Sequence, residues 1–130
     1  MNGVSIVDLH FVDGFPTIDS IDLRAILDVL RDEVLSSQWT INDCEAAGIR
    51  AGALNGLSDS GRVISGEELL YITAGIYQTI SGNFNAFRLC SHLLWFKINA
   101  IDSVAFDILS DDRTILDKIR SHFTDVSDWP

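Results

Sequence analysis

The side chains with the most chemical capacity in this chain are paired carboxylates. Glu67 with Glu68, Asp111 with Asp112, and Asp19 with Asp22 each place two acids within one helical turn. Two carboxylates facing a sugar cleft could do general acid–base work. All three pairs fall at expected helix N-termini, where acids complement the helix dipole, and capping accounts for them without an active site. Cys44 and Cys90 are far apart with no CxxC between them, and His10, His92 and His122 are scattered. A zinc centre needs clustered ligands, so no metal is expected. Cys90 and His92 flank Ser91 as one thin pair, which reads as hairpin loop. Nucleophile-elbow, phosphate-loop, dinucleotide and zinc-protease patterns are missing from the sequence. No catalytic residue and no cofactor is assigned, and the reading leans away from an enzyme.

A surface offers more than a motif does. If the apolar face of the expected sheet is core, its other face carries Tyr77, Thr79, Trp95, Lys97, Asn99 and Asp107. Tyrosine and tryptophan beside polar groups are typical anchors of protein interfaces. Tyr77, Trp95, Lys97, Asn99 and Asp107 are therefore the candidate partner-binding residues. The competing explanation is burial on both faces, with the first helix or an N-terminal arm covering Trp95. Trp39 reads as a strand core residue and Trp129 as a loose end.

The elements that must position these residues follow from periodicity. Residues 1–17 are expected to form an extended arm or an edge strand. Residues 19–36 predict a helix capped by Asp19, with Leu23, Ile26, Leu27, Leu30 and Val34 on one stripe. Trp39 to Cys44 alternates as a strand at an edge. Residues 49–61 hold three glycines and read as a loop with one helical turn, because each glycine costs about 1 kcal/mol in a helix interior. Ser65 and Glu68 make a capping box, with Ile64 and Leu69 as its staple, so residues 66–74 predict a helix over the competing strand pattern. From residue 76 the period becomes two. Ile76–Arg88, Leu94–Ala100 and Val104–Ile108 read as successive antiparallel strands, the first as a hairpin or a bulged long strand. Residues 111–123 predict the last helix, and 124–130 a tail. The expectation is one α+β domain, an antiparallel sheet of about three to five strands with the N-terminal and C-terminal helices packed on one face. The expected core is Ile76, Ile80, Phe84, Leu94, Phe96, Ile98, Val104, Phe106 and Ile108.

Charge bounds the partners. The 130 residues carry 19 acids and 9 bases, a formal charge of −10. Such a field repels phosphate backbones and anionic lipid surfaces, so neither nucleic acid nor membrane is an expected partner. It favours association with a basic protein. With no Lys or Arg before Arg24 and no long apolar run, neither an export signal nor a membrane span is expected, and the default setting is cytoplasmic. A small, strongly acidic α+β chain without a catalytic motif is similar in kind to bacterial toxin-immunity proteins. That resemblance lies in size and charge, implies a protein partner, and carries no site residue across. The leading expectation is a non-enzymatic protein-binding module, of inhibitor or immunity type. The alternatives are a small-molecule or enzymatic pocket between sheet and helices, built from Trp95, Tyr77, Asp107 and His92, and a protomer of a homodimer paired through its sheet.

Overall fold

The computed structural model describes residues 1–7, 9–12, 15–18, 22–102, 105–123 and 126–129, with side chains at all of these except 9–12, 15–18, 77 and 78. In chain order the elements are β1 (Asn2–Val7), β2 (Leu9–Val12), β3 (Phe15–Ile18), α1 (Leu23–Val29), α2 (Arg31–Leu35), β4 (Ser37–Gly48), α3 (Ala51–Ser60), β5 (Ile64–Ser65), α4 (Gly66–Thr73), β6 (Ile76–Arg88), β7 (Leu94–Ile101), β8 (Ala105–Ser110), α5 (Arg113–His122) and β9 (Val126–Asp128). Strands β2 and β3 form a separate two-stranded hairpin.

The main sheet corrects the expected fold. Among the described residues it has seven strands in the order β5-β4-β6-β7-β8-β1-β9, all antiparallel, where three to five were expected. The additional strands come from segments with little signal of their own. β5 is two residues long and β9 is three. β1 lies inside the sheet between β8 and β9, and the tail supplies β9 as the strand beside it. β1 is ordered by its partners, since isolated short strands are marginal. Trp129, read as a loose end, donates its backbone N–H to the Gly3 carbonyl at 2.9 Å.

Register explains the core. Ile41, Phe84, Ile98, Ile108 and Val4 stand opposite one another across five strands, and Trp39, Ala86 and Phe96 make the next row. All are buried, and they pack with Leu23, Ile26, Leu27, Leu30, Val34, Leu69, Leu70, Ile115, Leu116 and Ile119 from the helices. Of the expected core, Phe84, Phe96, Ile98, Phe106 and Ile108 are buried; Ile76, Ile80 and Leu94 are half-buried, and Val104 lies outside the described residues. Trp39 meets Phe96 edge to face at 5.3 Å and donates its indole N–H to the Val34 carbonyl.

Two helices differ from expectation. The first breaks at Leu30 (φ −98°, ψ 24°) into α1 and α2, although its apolar stripe stays continuous and buried. Asp19 lies outside the described residues; Asp22 is the N-cap, and its carboxylate accepts the Thr79 N–H across the layer. Residues 51–60 form the full helix α3 despite its glycines. Leu54 and Leu57 enter the core while Gly52 and Gly56 face outward, so tertiary burial outweighs propensity. The box at α4 forms as expected, with Ser65 Oγ accepting the Glu68 N–H at 3.1 Å. No helix among the described residues is long and apolar enough to cross a membrane.

Candidate functional site

The helices and the buried rows take one face of the sheet. Alternation sends the intervening residues to the other. Asn42, Asn83, Asn99, Asp107, Ser5 and Ser127 lie opposite one another in sequence across six strands. The adjacent row is Thr40, Asn85, Lys97, Leu109 and Gly3. Most of these residues are half-buried or exposed, while Asn85 and Gly3 are buried. The result is a polar, amide-rich sheet face.

Its internal bonds are sparse. Ser5 Oγ donates to the Asp107 carboxylate at 2.5 Å, and the Trp129 indole N–H donates to Ser5 Oγ at 3.1 Å. Trp129 reaches that position because Gly3 has no side chain; a Cβ there would lie 3.0 Å from the indole. Asn85 donates to Thr40 Oγ1 at 3.3 Å. Among the described residues, Asn42, Asn83 and Asn99 make no side-chain hydrogen bond. Next to Asn42 the β4 strand bulges, with Asp43 at φ 52° and a register shift between Asn42 and Glu45. Gly82 (φ 158°) packs under Cys44 there and pairs with Ala100. Asp43 and Glu45, at the bulge midway along β4, and Asp102, just after β7, therefore lie next beyond the Asn42–Asn83–Asn99 row, where β7 ends and β4 and β6 run on to Gly48 and Ile76; all three acids are exposed.

The five candidate partner-binding residues divide. Lys97, Asn99 and Asp107 share the polar face, with Asn99 directly opposite Asp107. Tyr77 lies in β6, and its side chain is outside the described residues. Thr79, placed on the same face by alternation, is 2% exposed, and its buried hydroxyl has no hydrogen-bond partner among the described residues. Trp95 leaves the face altogether. Phe87 pairs with Leu94 and Ala86 with Phe96, so Trp95 is the extra residue of a β-bulge. The bulge resets the alternation and packs Trp95 half-buried against the core, edge to face with Phe96. Its indole N–H donates to Asp112, the N-cap of α5, at 2.9 Å, and the Arg88 guanidinium lies 4.4 Å above its ring. That hydrogen bond, with help from Thr114 and the Arg88 charge, holds the Asp112 carboxyl below its ordinary value. Trp95 here is a fastening between sheet and helix.

This geometry also separates the members of the expected pocket. Trp95 lines cavities of about 260 and 280 Å³ with Arg88, Leu94, Asp112 and Cys90, whereas Asp107 is on the opposite face. His92 lines a third cavity of about 220 Å³ with Thr40, Val63 and Phe87. Cys44 is half-buried, and burial pushes its thiol up to about 11, which leaves it protonated and unreactive. No group of three or more His, Cys, Asp or Glu side chains among the described residues is placed to hold a metal ion.

Residues absent from the sequence reading complete the face: Asn42, Asn83, Asn85, Thr40 and Ser5. The only local signal was Asn83 and Asn85 flanking buried Phe84, which marks a polar face of β6 but not its neighbours. No protein family, curated protein or solved structure matches this chain.

Proposed function

We propose that this chain is a non-enzymatic binding module for a basic protein partner, acting in a reducing, cytoplasmic setting. The observation that carries the reading is how its charges are distributed. Of the nine cations, all but Lys97 and Arg113 are engaged internally among the described residues. Arg24 and Arg31 pair with Asp28, Arg62 with Glu68, Lys118 with Glu33, and Arg120 with Asp117 and Asp128. Arg88 lies 3.9 Å from Asp112, and Arg50 stacks 4.0 Å from the Tyr71 ring centre. Asp43, Glu45 and Asp102 form no ion pair among the described residues and stand exposed. The excess negative charge is thus presented outward, where it raises association rates with a positive surface. The cytoplasmic part of the reading is supported by two unpaired cysteines, one of them exposed.

The test is affinity capture from source-cell lysate, with elution along a salt gradient and identification of what elutes. A partner of high isoelectric point released by moderate salt supports the reading, because exposed charge pairs are screened within about 10 Å at 0.1 M. Capture of neutral or acidic partners whose binding ignores salt contradicts it.

A further inference from the structure

The polar sheet face carries an inference that rests on the reading above and narrows it. Asparagine is depleted in strands, because its side chain competes for backbone hydrogen bonds and packs poorly on a pleated surface. Yet Asn42, Asn83 and Asn99 occupy facing positions on three neighbouring strands, and Asn85 follows Asn83 on the same face of β6, between Thr40 and Lys97. On the core face the same strands follow the ordinary rule, with Ile41, Phe84 and Ile98. A local preference broken on one face and kept on the other marks a position held for function. Among the described residues, internal bonding accounts for only one of these amides, Asn85, which bonds Thr40.

We infer that the row Asn42, Asn83, Asn99 and Asp107, with Asp43, Glu45 and Asp102 next beyond it, is the surface on which an arginine- and lysine-rich protein segment docks. The chemistry fits that occupant. Each amide oxygen accepts from a guanidinium or ammonium, each amide nitrogen donates to a peptide carbonyl, and the carboxylates supply charge-assisted bonds. Neighbouring positions in the row are about 4.8 Å apart, the strand spacing, so one guanidinium reaches two of them at once. Lys97 borders the row and disfavours an occupant whose cations crowd that side. A second copy of this chain would bring the exposed acids of two faces together, which repels.

The test uses the isotope-labelled full chain titrated with an arginine-rich nonapeptide, read by backbone amide shifts. Saturable shifts largest at Asn83, Asn99, Asp107 and Ser5, and removed by 0.5 M salt, support the placement. Shifts led by the exposed helical acids Asp32 and Glu67, or spread evenly over the acidic surface, overturn the placement while leaving the partner class standing. No saturable shift overturns the placement too, and an empty lysate capture alongside it removes the parent reading. As a second arm, the triple variant Asp43→Asn, Glu45→Gln, Asp102→Asn is compared with Asp32→Asn, Glu67→Gln, Asp111→Asn, which removes equal charge elsewhere. The first should weaken peptide binding about tenfold and the second less than about twofold. Equal losses would show that net charge alone acts.

Discussion

Gly66→Ala should be among the most damaging single substitutions in this chain, and its size follows from geometry. Gly66 opens α4 directly after its Ser65 cap, where helix propensity alone would favour alanine. A Cβ at this position would stand 1.9 Å from the Val34 carbonyl oxygen, 2.6 Å from its carbon and 3.1 Å from the Leu35 Cα. All three are backbone atoms of α2, so no side chain can rotate away. Relief requires α4 and the end of α2 to separate by more than 1 Å, through a region where Val34, Leu69 and Trp39 are fully buried. Overpacking of this kind costs about 1–3 kcal/mol. The Val34 oxygen also accepts the Trp39 indole N–H, and displacing it strands a buried donor at a further cost of about 1–2 kcal/mol. The sum, about 2–5 kcal/mol, corresponds to a fall of about 1–2.5 M in the urea midpoint at a typical slope of about 2 kcal/mol/M. Gly52→Ala and Gly56→Ala are the internal controls. Both lie in α3 with nothing within 4 Å of the added Cβ, so each should stabilise by about 0.5–1 kcal/mol. Urea unfolding followed by circular dichroism and tryptophan fluorescence measures all three. A Gly66→Ala midpoint within 0.3 M of the parent, or a loss of the same size in the α3 variants, would refute the packing argument.

Trp95→Phe keeps the ring beneath Arg88 but removes the donor to Asp112, and should cost about 1–2 kcal/mol in urea unfolding; an unchanged midpoint would make that hydrogen bond energetically silent. The Asp112 carboxyl is depressed in the native state, so its contribution is complete above the ordinary value of 3.8 and is lost as pH falls through the lowered one. The stability gap between the parent and Asp112→Asn should therefore be constant near neutrality and close only below about pH 4. A gap closing near pH 6 would contradict the assignment. Glu33 is buried, with Oε1 on Lys118 and Oε2 without a partner among the described residues. Lys118→Met should destabilise by about 2 kcal/mol, discounted because Lys118 is a third exposed, and adding Glu33→Gln should recover part of that loss in a double-mutant cycle. In the native protein at pH 8, iodoacetamide should label exposed Cys90 and spare Cys44, and mass spectrometry of the peptides reports which reacted.

The elements with strong internal signals were legible in the sequence, and the relations between elements were not. The Ser65–Glu68 box, the Ile115–Leu116–Ile119 face and the alternation of Phe96, Ile98 and Ala100 each state a local preference that packing does not oppose. α3 was not legible, because Leu54 and Leu57 find their partners only in three dimensions and outweigh Gly52 and Gly56. β5 and β9 were not legible because so few residues carry their own periodicity; residues 1–17 read as an arm or an edge strand, and β1 is a strand that lies inside the sheet, between β8 and β9. The candidate site shows the same division. Lys97 and Asn99, beyond the bulge in β7, and Asp107 in β8 follow regular alternation and share a face, as expected. Trp95 does not, because one inserted residue in β7 shifts everything before it to the other side, and a bulge has no signature in Leu94–Trp95–Phe96. The Asn42–Asn83–Asn99 row depends on register between three strands, which only the folded sheet fixes.

The central claim is that the amide-rich face and the acids next beyond its row receive a basic protein. Its most direct test is the dissociation constant of the captured partner for the parent chain and for the two charge-matched triple variants, measured at 0.05 and 0.3 M salt. Binding should be about tenfold weaker for the Asp43, Glu45, Asp102 variant at low salt, nearly unchanged for the Asp32, Glu67, Asp111 variant, and weaker for all three chains at high salt. Equal affinities across the three chains at both salt concentrations would contradict the claim.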